Sequence, residues 1–234
     1  LSFDLYGGEI LGIAGVSGNG QKELMEALSG LRPCASSSIR MFDKDITKDS
    51  IRGRIREGIA FIPEDRYGFA LNRELSVEDN ASLKSYMKKE FCHHGIIDYK
   101  GLTAQAERFI EDFSIKTSGP KALVHSMSGG NAQKLILARE TAEEPKVILA
   151  SYPVRGLDIK ATESIHKVLV SEKDRGVGVL LVSEDLDEIF QLCDRVAVMY
   201  EGQFMGTLPI AEVKISEIGL AMSGAKRIGG ESVE

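Results

Sequence analysis

The sequence contains no tryptophan, only four histidines and only three cysteines in 234 residues. Cys34, Cys92 and Cys193 are odd in number, far apart and without C-x-x-C spacing, which fits a reducing compartment better than a disulfide framework. The longest apolar runs, such as Val177–Val182 and Val147–Ala150, have the length of strands and are far too short for a membrane span. No secretory signal pattern opens the chain. The sequence therefore gives no support to a disulfide-stapled secreted domain.

Positive charge is also scarce. The sequence has 29 Lys and Arg residues against 35 Asp and Glu, a formal net charge of −6, and it has no basic stripe interleaved with aromatic residues. Both observations argue against a nucleic-acid partner. The apolar fraction of 43% and the charged fraction of 27% are ordinary for a globular protein. The length is sufficient for one full-size α/β domain, or for a core with a smaller subdomain.

Short apolar segments recur along the chain at the spacing expected of buried strands. They are Glu9–Val16, Ile59–Ile62, Val147–Ala150, Val179–Ser183 and Arg195–Tyr200. Helical periodicity follows several of them, after the first glycine-rich turn, after residue 128 and before Gly176. Near-continuous apolar strands separated by helices predict an α/β fold whose mainly parallel sheet is covered on both faces.

The chain is predicted to be a single domain, residues 1–234, with an insertion. Residues 74–126 are charged and helical in character, and we expect a helical subdomain there, inserted into an α/β core of residues 1–73 and 127–222. The Gly- and charge-rich end, residues 223–234, is predicted to be a disordered tail. The opening Leu1-Ser2-Phe3 resembles the middle of a strand, so we expect this chain to be a piece of a longer polypeptide.

A glycine-rich stretch, GVSGNGQKEL, follows the first predicted strand and opens a predicted helix. Gly15, Gly18 and Gly20 allow successive backbone N–H groups to turn inward as an anion-binding nest at a helix N-terminus. We therefore expect a phosphate-binding loop. Its nucleotide-binding residues are Gly15, Ser17, Gly18, Asn19, Gly20, Gln21, Lys22 and Glu23.

This loop lacks the side chains of a working phosphate loop, G-x-x-x-x-G-K-[ST]. When the two patterns are aligned on Gly15 and Gly20, Gln21 stands at the lysine position and Lys22 at the position of the Mg²⁺-binding hydroxyl. One residue along a helix rotates a side chain by about 100°, so Lys22 is predicted to leave the phosphate face. Loss of the charge-assisted hydrogen bond costs on the order of 1.5–3 kcal/mol, or roughly 10- to 100-fold in affinity.

The most specific motif is SMSGGNAQKLILARE, Ser126–Glu140. It resembles the L-S-G-G-x-x-Q signature of ATP-binding-cassette (ABC) transporter ATPases, with Met127 at the leucine position. Three further stretches resemble the Walker B and D-loop region, the Q-loop and the switch region of that family; these are Lys146–Asp158, Phe61–Arg66 and Leu180–Ile189. The resemblance covers essentially the whole chain and implies an ABC-type phosphate-loop fold, with an antiparallel β portion beside the parallel sheet.

Several short motifs resemble one branch of this family in particular. GNGQKEL, IPEDR, SGGNAQK, RGLD and DRVAVMYEG are similar to the C-terminal, second cassette of tandem ATP-binding proteins that energise importers of simple sugars and nucleosides. The Ser-Tyr-Pro sequence at 151–153 and the Gly-Asn-Gly-Gln loop resemble the nucleoside type more than the ribose type. The resemblance does not identify the substrate.

The resemblance also indicates which catalytic groups are replaced. Ser151 stands at the Mg²⁺-binding acid, Tyr152 at the catalytic glutamate, Glu64 at the Q-loop glutamine and Glu184 at the switch histidine. A phenol is a poor base at neutral pH, and a carboxylate at 184 would repel a γ-phosphate. No catalytic residue of the chain's own site is therefore expected to be intact.

The residues that a cassette gives to its partner are retained: Ser128, Gly129, Gly130 and Gln133 of the signature and Asp158 of the D-loop. In the family, the signature caps the γ-phosphate of ATP bound on the partner cassette. The resemblance thus implies that ATP and Mg²⁺ are bound chiefly by a partner cassette. It also implies contact of the helical segment with transmembrane permease subunits, at the cytoplasmic face of the membrane.

Other interpretations stay open from the sequence. An autonomous ATPase would need Lys22, or Glu64 with Asp65, to rebuild the site. A DNA-repair type of ABC protein would need a long coiled coil, and no sustained heptads occur. A structural role without nucleotide is a further possibility. FCHHG, residues 91–95, is interpreted as a polar loop tip rather than a metal site, and the acidic residues Asp185, Asp187 and Glu188 as a solvated helix face.

Overall fold

The computed structural model describes residues 1–34 and 38–228. The strands within these residues are β1 (Ile10–Ala14), β2 (Arg40–Met41), β3 (Lys44–Asp45), β4 (Ile59–Ile62), β5 (Cys92–His93), β6 (Ile96–Ile97), β7 (Val147–Ser151), β8 (Gly178–Ser183), β9 (Arg195–Tyr200) and β10 (Gln203–Pro209). The α-helices are α1 (Gln21–Ser29), α2 (Ile51–Glu57), α3 (Val77–Ser82), α4 (Tyr99–Asp112), α5 (Gly129–Thr141), α6 (Ile159–Asp174), α7 (Leu186–Leu192) and α8 (Ile215–Met222). A π-helix covers Arg66–Ala70, and 3₁₀ turns cover Val124–Ser126 and Ile210–Glu212.

The main sheet has six strands in the order β10-β9-β1-β8-β7-β4. β1 runs parallel to both β8 and β9, and β7 runs parallel to β8. β10 is antiparallel to β9 and forms one edge, and β2 and β3 make a separate antiparallel pair. The predicted α/β fold, mainly parallel with an antiparallel portion, is confirmed.

Residues 1–34, 38–61, 146–152 and 169–228 form one compact unit. Its apolar core lies along β1, β7, β8 and β9, where nearly every residue is buried. Met25 of α1 joins this core, together with Met41 and Ile46 from the small antiparallel pair and the loop after it. Burial of strands on both faces explains why their sequences are continuously apolar rather than alternating.

Residues 62–145 and 153–168 form a second compact unit. α3 begins with a capping box in which Ser76 and Asp79 bond each other's backbone N–H groups. α5 is buried on nearly all sides. The buried carboxylate of Glu140 is neutralised by ion pairs with Lys84 and Arg139, as a buried charge requires. The α-helical content of residues 74–126 consists of α3 and α4, whereas the subdomain boundaries stay a prediction.

The structure describes two segments for which the sequence predicted a loop tip or disorder, residues 91–95 and part of the tail. FCHHG forms the tip of the β5–β6 hairpin, with His94 and Gly95 in left-handed conformations. The predicted disorder of the tail does not hold for residues 223–228, which are attached to the sheet unit: Ile228 is buried and donates its N–H to Met205 O at 2.8 Å. Residues 229–234 lie outside the described residues. Across the part of the chain that is described, none of the helices combines the length and apolar character that a bilayer crossing needs.

Candidate functional site

The predicted phosphate loop connects β1 to α1. Gly18 (φ 94°) and Gly20 (φ 107°) adopt left-handed conformations that favour glycine. Asn19 fixes the loop, because its side chain donates to Val16 O at 3.0 Å and accepts from Glu201 N at 2.9 Å. The loop therefore has the form of an anion-binding turn at a helix N-terminus.

The interior of this loop is taken by Gln21. Its side chain is only 1% exposed, and its amide nitrogen donates to Val16 O at 3.1 Å. A Cβ atom on Gly15 would lie 2.4 Å from the same nitrogen, so glycine is needed at 15 for the amide to lie across the loop. The amide can close the loop, but it brings no positive charge to a phosphate.

Lys22 and Glu23 lie on the solvent side of α1. The Lys22 side chain is 68% exposed, and its ammonium is 3.9 Å from Glu26 one turn along the helix. The carboxylate of Glu23 is 3.9 Å from the guanidinium of Arg32. The Lys22 contact is thus with its own helix.

Ser151 is the last residue of β7, and Tyr152 follows it within the apolar core. Ser151 is buried, and Tyr152 packs among apolar side chains that include Met25 and Leu180. Tyr152 has a left-handed backbone (φ 47°), and its N–H donates to Val182 O at 2.9 Å. The phenol is therefore a core side chain at the position where the resemblance predicts the catalytic glutamate.

Glu184 is exposed directly after β8. The interpretation of the following acids as a solvated face holds for Asp185 and Asp187, which are exposed, but is wrong for Glu188. Glu188 is buried and accepts from Ser183 Oγ at 2.6 Å, and Asp185 caps α7 by accepting from Asp187 N at 2.9 Å. Ser183 was not singled out in the sequence, although a Ser-x-Asp pattern before an apolar helix is a capping signal.

The predicted signature residues lie at the beginning of α5. Ser128 is the N-cap, is exposed, and accepts from the Asn131 side chain at 2.9 Å. A Cβ on Gly130 would come 2.9 Å from Ala161 Cβ, so glycine permits this close approach. The first backbone N–H groups of a helix have no intrahelical acceptor, so a hydroxyl and these N–H groups together suit a phosphate oxygen.

Asp158 and Glu64 belong to the same compact unit as the signature. Asp158 accepts from Ala161 N at 2.9 Å and so caps the first turn of α6. Glu64 forms an ion pair with Arg155. Asp65 caps the π-helix by accepting from Gly68 N at 2.9 Å.

Arg66 connects Gln133 to the turn before Asp158. Its Nε donates to Gln133 Oε1 at 2.6 Å, and its Nη2 donates to Arg155 O at 2.6 Å. Partial burial lowers the pKa of the Arg66 guanidinium, which remains charged at neutral pH. Neither Arg66 nor Arg155 was recognised from the sequence as a site residue, because a charged residue in a loop carries no pattern of its own.

The positions predicted for the chain's own ATP site and the signature residues differ in how well they fit Mg-ATP. At the positions predicted for the chain's own ATP, the sheet unit offers an amide turned into the loop, a buried serine and a core phenol (Gln21, Ser151 and Tyr152). The second unit offers a carboxylate that is paired with an arginine (Glu64). None is a free acid for Mg²⁺ or a cation for phosphate. The signature offers an exposed hydroxyl at a helix N-terminus, which fits a phosphate brought by another molecule.

Comparison with known proteins identifies close similarities. Residues 1–154 match the family model described as ABC transporter. The chain is 39% identical over 224 residues to the nucleoside import ATP-binding protein NupA of Lactococcus lactis, covering 96% of this chain and 44% of that protein. It is 42% identical over 219 residues to the glucose import ATP-binding protein TsgD13 of Haloferax volcanii, covering 93% and 40%. The chain thus spans less than half the length of these relatives.

Solved structures agree on the fold. The ATP-binding cassette MJ0796, in a dimeric post-hydrolysis state bound to ADP and Pi, superposes with a TM-score of 0.75 at 20% identity, covering 89% of this chain and 88% of that one. Together with the family match, this means that the chain belongs to the ABC transporter family and has the fold of its ATP-binding cassettes.

Proposed function

We propose that this chain is a degenerate ATP-binding cassette of an importer for simple sugars or nucleosides, and that it works by lending its signature to an ATP site on a partner cassette. The observation that carries the proposal is an asymmetry within one chain. The positions that would bind and hydrolyse its own ATP are replaced, whereas Ser128, Gly129, Gly130, Gln133 and Asp158 are retained.

The conformation of the loop supports impaired catalysis on this chain. Gln21 is buried inside the loop and Lys22 extends away along α1. Tyr152 is packed in the core and provides no base. The backbone nest remains, so weak binding of a nucleotide is compatible with the site, but activation of water is not.

The conformation of the signature supports a role toward a partner. Ser128 is exposed at the beginning of a 13-residue helix, and Asp158 is exposed at the beginning of α6. Ile159, beside Asp158, is 79% exposed. The Ser128 hydroxyl and the Asp158 carboxylate are therefore accessible to a partner.

A groove in the same compact unit supports a second partner, a permease. A surface cavity of about 510 Å³ is lined by Tyr67, Phe69, Leu71, Arg73 and Leu83, among others. The Phe69 and Leu83 side chains are largely exposed. A permease segment with an apolar side chain would fill this groove and hold the chain at the cytoplasmic face of the membrane.

The proposed class of substrate rests only on the names of related proteins. NupA and the guanosine import ATP-binding protein NupO of Bacillus subtilis carry nucleoside names, whereas TsgD13 carries a glucose name, at identities of 38–42%. The proposal therefore includes both nucleosides and simple sugars.

The test is calorimetry of Mg-ATP binding to the purified chain, with a parallel assay of phosphate release. We expect no turnover, and binding that is absent or no tighter than high-micromolar. Tight Mg²⁺-dependent binding with steady hydrolysis would mean that the site has been rebuilt and would overturn the proposal. In the assembled transporter, Ser128→Ala is expected to abolish most ATP turnover, because the partner's site loses its cap.

A further inference from the structure

One side chain joins three segments that the proposed function treats separately. Arg66 is the first residue of the π-helix. Its Nε bonds Gln133 of the signature helix, and its Nη2 bonds the carbonyl of Arg155 in the turn that leads to Asp158. The remaining nitrogen, Nη1, lies 3.8 Å from the position that a Cβ on Gly129 would take. The guanidinium is therefore next to the N-terminal turn of α5.

Gln133 depends on this contact. It is fully buried, and within residues 1–34 and 38–228 its amide nitrogen has no hydrogen-bond partner. The bond from Arg66 to its oxygen is thus the hydrogen bond that orients the side chain. A buried amide with a single polar contact is expected to lose its orientation when that contact is removed.

Two contacts attach the turn before Asp158 to residues 64–66. The carbonyl of Arg155 accepts a hydrogen bond from Arg66. The guanidinium of Arg155 pairs with Glu64, which precedes Arg66 by two residues. Leu157 packs close to Gly129, since a Cβ there would lie 3.6 Å from Leu157 Cδ2. The beginning of α5 and this turn are therefore in contact, and both are attached to the segment 64–66.

We propose that Arg66 is a positioning residue for the composite ATP site, holding the signature helix and the turn before Asp158 in one geometry. The inference rests on the proposed function. The same π-helix contributes Tyr67 and Phe69 to the groove that we assign to the permease, so a shift of this helix would move Arg66 and its two bonds together. π-Helical turns are frequent at functional positions of this kind.

The proposal predicts a particular kinetic change. ATP is held mainly by the partner's phosphate loop, so KM for ATP should change little when Arg66 is altered. A misplaced signature weakens the contact made during hydrolysis, so kcat should fall by a factor on the order of 10 to 100. Lysine keeps the charge but lacks the planar fork that makes both bonds, and should restore only part of the rate.

The experiment uses the transporter assembled with its partner cassette and permease in liposomes, with ATP turnover measured for Arg66→Met, Gln133→Met and the double variant. We expect similar losses of kcat in all three, because the two side chains act as a unit. The control is Arg108→Met, which removes the same charge from the exposed face of α4 and should keep the wild-type kcat.

The kcat values of these variants decide the inference. Wild-type kcat in Arg66→Met, or losses that multiply in the double variant, would overturn it. Should Arg66→Met fail to assemble, Arg66→Lys decides: a reduced kcat at an unchanged melting temperature supports positioning, and a wild-type kcat refutes it. Ser128→Ala separates this inference from the function beneath it. If Ser128→Ala is fully active, the proposed function fails; if it is inactive while both Arg66 variants are normal, only the role of Arg66 fails.

Discussion

At the scale of single residues, Cys193 is a buried thiol whose pKa is shifted. It follows α7, and its sulfur would lie 2.7 Å from a Cβ on Gly12 of β1, so the thiol is enclosed against the central strand. Burial, helped by the negative charges of Glu188 and Asp194, raises the pKa of the Cys193 thiol well above its usual range. The folded protein therefore keeps this thiol protonated under conditions in which the unfolded chain does not.

This difference makes stability depend on alkaline pH. The unfolded thiol loses its proton near pH 8.5, so the contribution of Cys193 is complete below that pH. As the pH rises further, the free energy of unfolding should fall by roughly 1.4 kcal/mol per pH unit. Cys193→Ala should remove this slope in urea unfolding measured between pH 7.5 and 10. Cys92→Ala, at a partly exposed hairpin position, should retain it, and an unchanged slope in Cys193→Ala would contradict the prediction.

The conformation of the predicted phosphate loop could be anticipated in part from the sequence, because glycine spacing and helix phase determine which side chain stands where. The departure of Lys22 from the phosphate face followed from the 100° rotation alone. The inward conformation of Gln21 did not, because it depends on the space that Gly15 leaves. The network around Arg66 was also out of reach, since its bonds join residues 67 and 89 positions apart.

At the scale of elements, the end of α1 depends on a residue of another helix. Arg54 of α2 is buried, and its guanidinium donates to four backbone carbonyls, those of Ala27, Leu28, Thr47 and Asp49. The last carbonyls of a helix have no partner within it and carry partial negative charge. Arg54 therefore caps the helix that begins at the phosphate loop.

Arg54→Met should lower the free energy of unfolding by on the order of 3 kcal/mol, because buried carbonyls lose their donor. Denaturant unfolding of the purified chain measures this loss. Arg52→Met, at an exposed position of the same helix, is the matched control and should stay within about 0.5 kcal/mol of wild type. Equal effects of the two changes would show that capping is not the cause.

The elements themselves were predicted unevenly. The five apolar strands were found, two of them with their observed ends, Ile59–Ile62 and Arg195–Tyr200. β10 was missed, because Gln203–Pro209 contains a glycine and a proline and lacks an apolar run. The helical-looking sequence Leu75–Phe91 forms only the short α3, followed by turns and then by the β5–β6 hairpin. Polar segments carry too little periodicity to separate helix from turn.

At the scale of the whole molecule, the open groove that is lined by Tyr67, Phe69 and Leu83 bears on assembly. Phe69 is 58% exposed, so Phe69→Glu should change the melting temperature by no more than about 2 °C. If a permease covers the groove, a buried unpaired carboxylate should weaken assembly about tenfold or more. Co-purification with the permease measures this loss.

The matched control for the groove is Phe42→Glu, because Phe42 is 78% exposed and belongs to the other compact unit. It should assemble like wild type. Normal assembly of Phe69→Glu would exclude this groove as the permease contact, while leaving the signature's role unaffected.

The packing of Tyr152 also limits what a single substitution at this position could achieve. A glutamate at 152 would enter an apolar cluster that includes Met25 and Leu180, and burial of a carboxylate among apolar side chains costs several kcal/mol. The cluster would have to be repacked at the same time as the acid was introduced. A change at 152 alone is therefore expected to destabilise the protein, so an acid at this position requires compensating changes in the core.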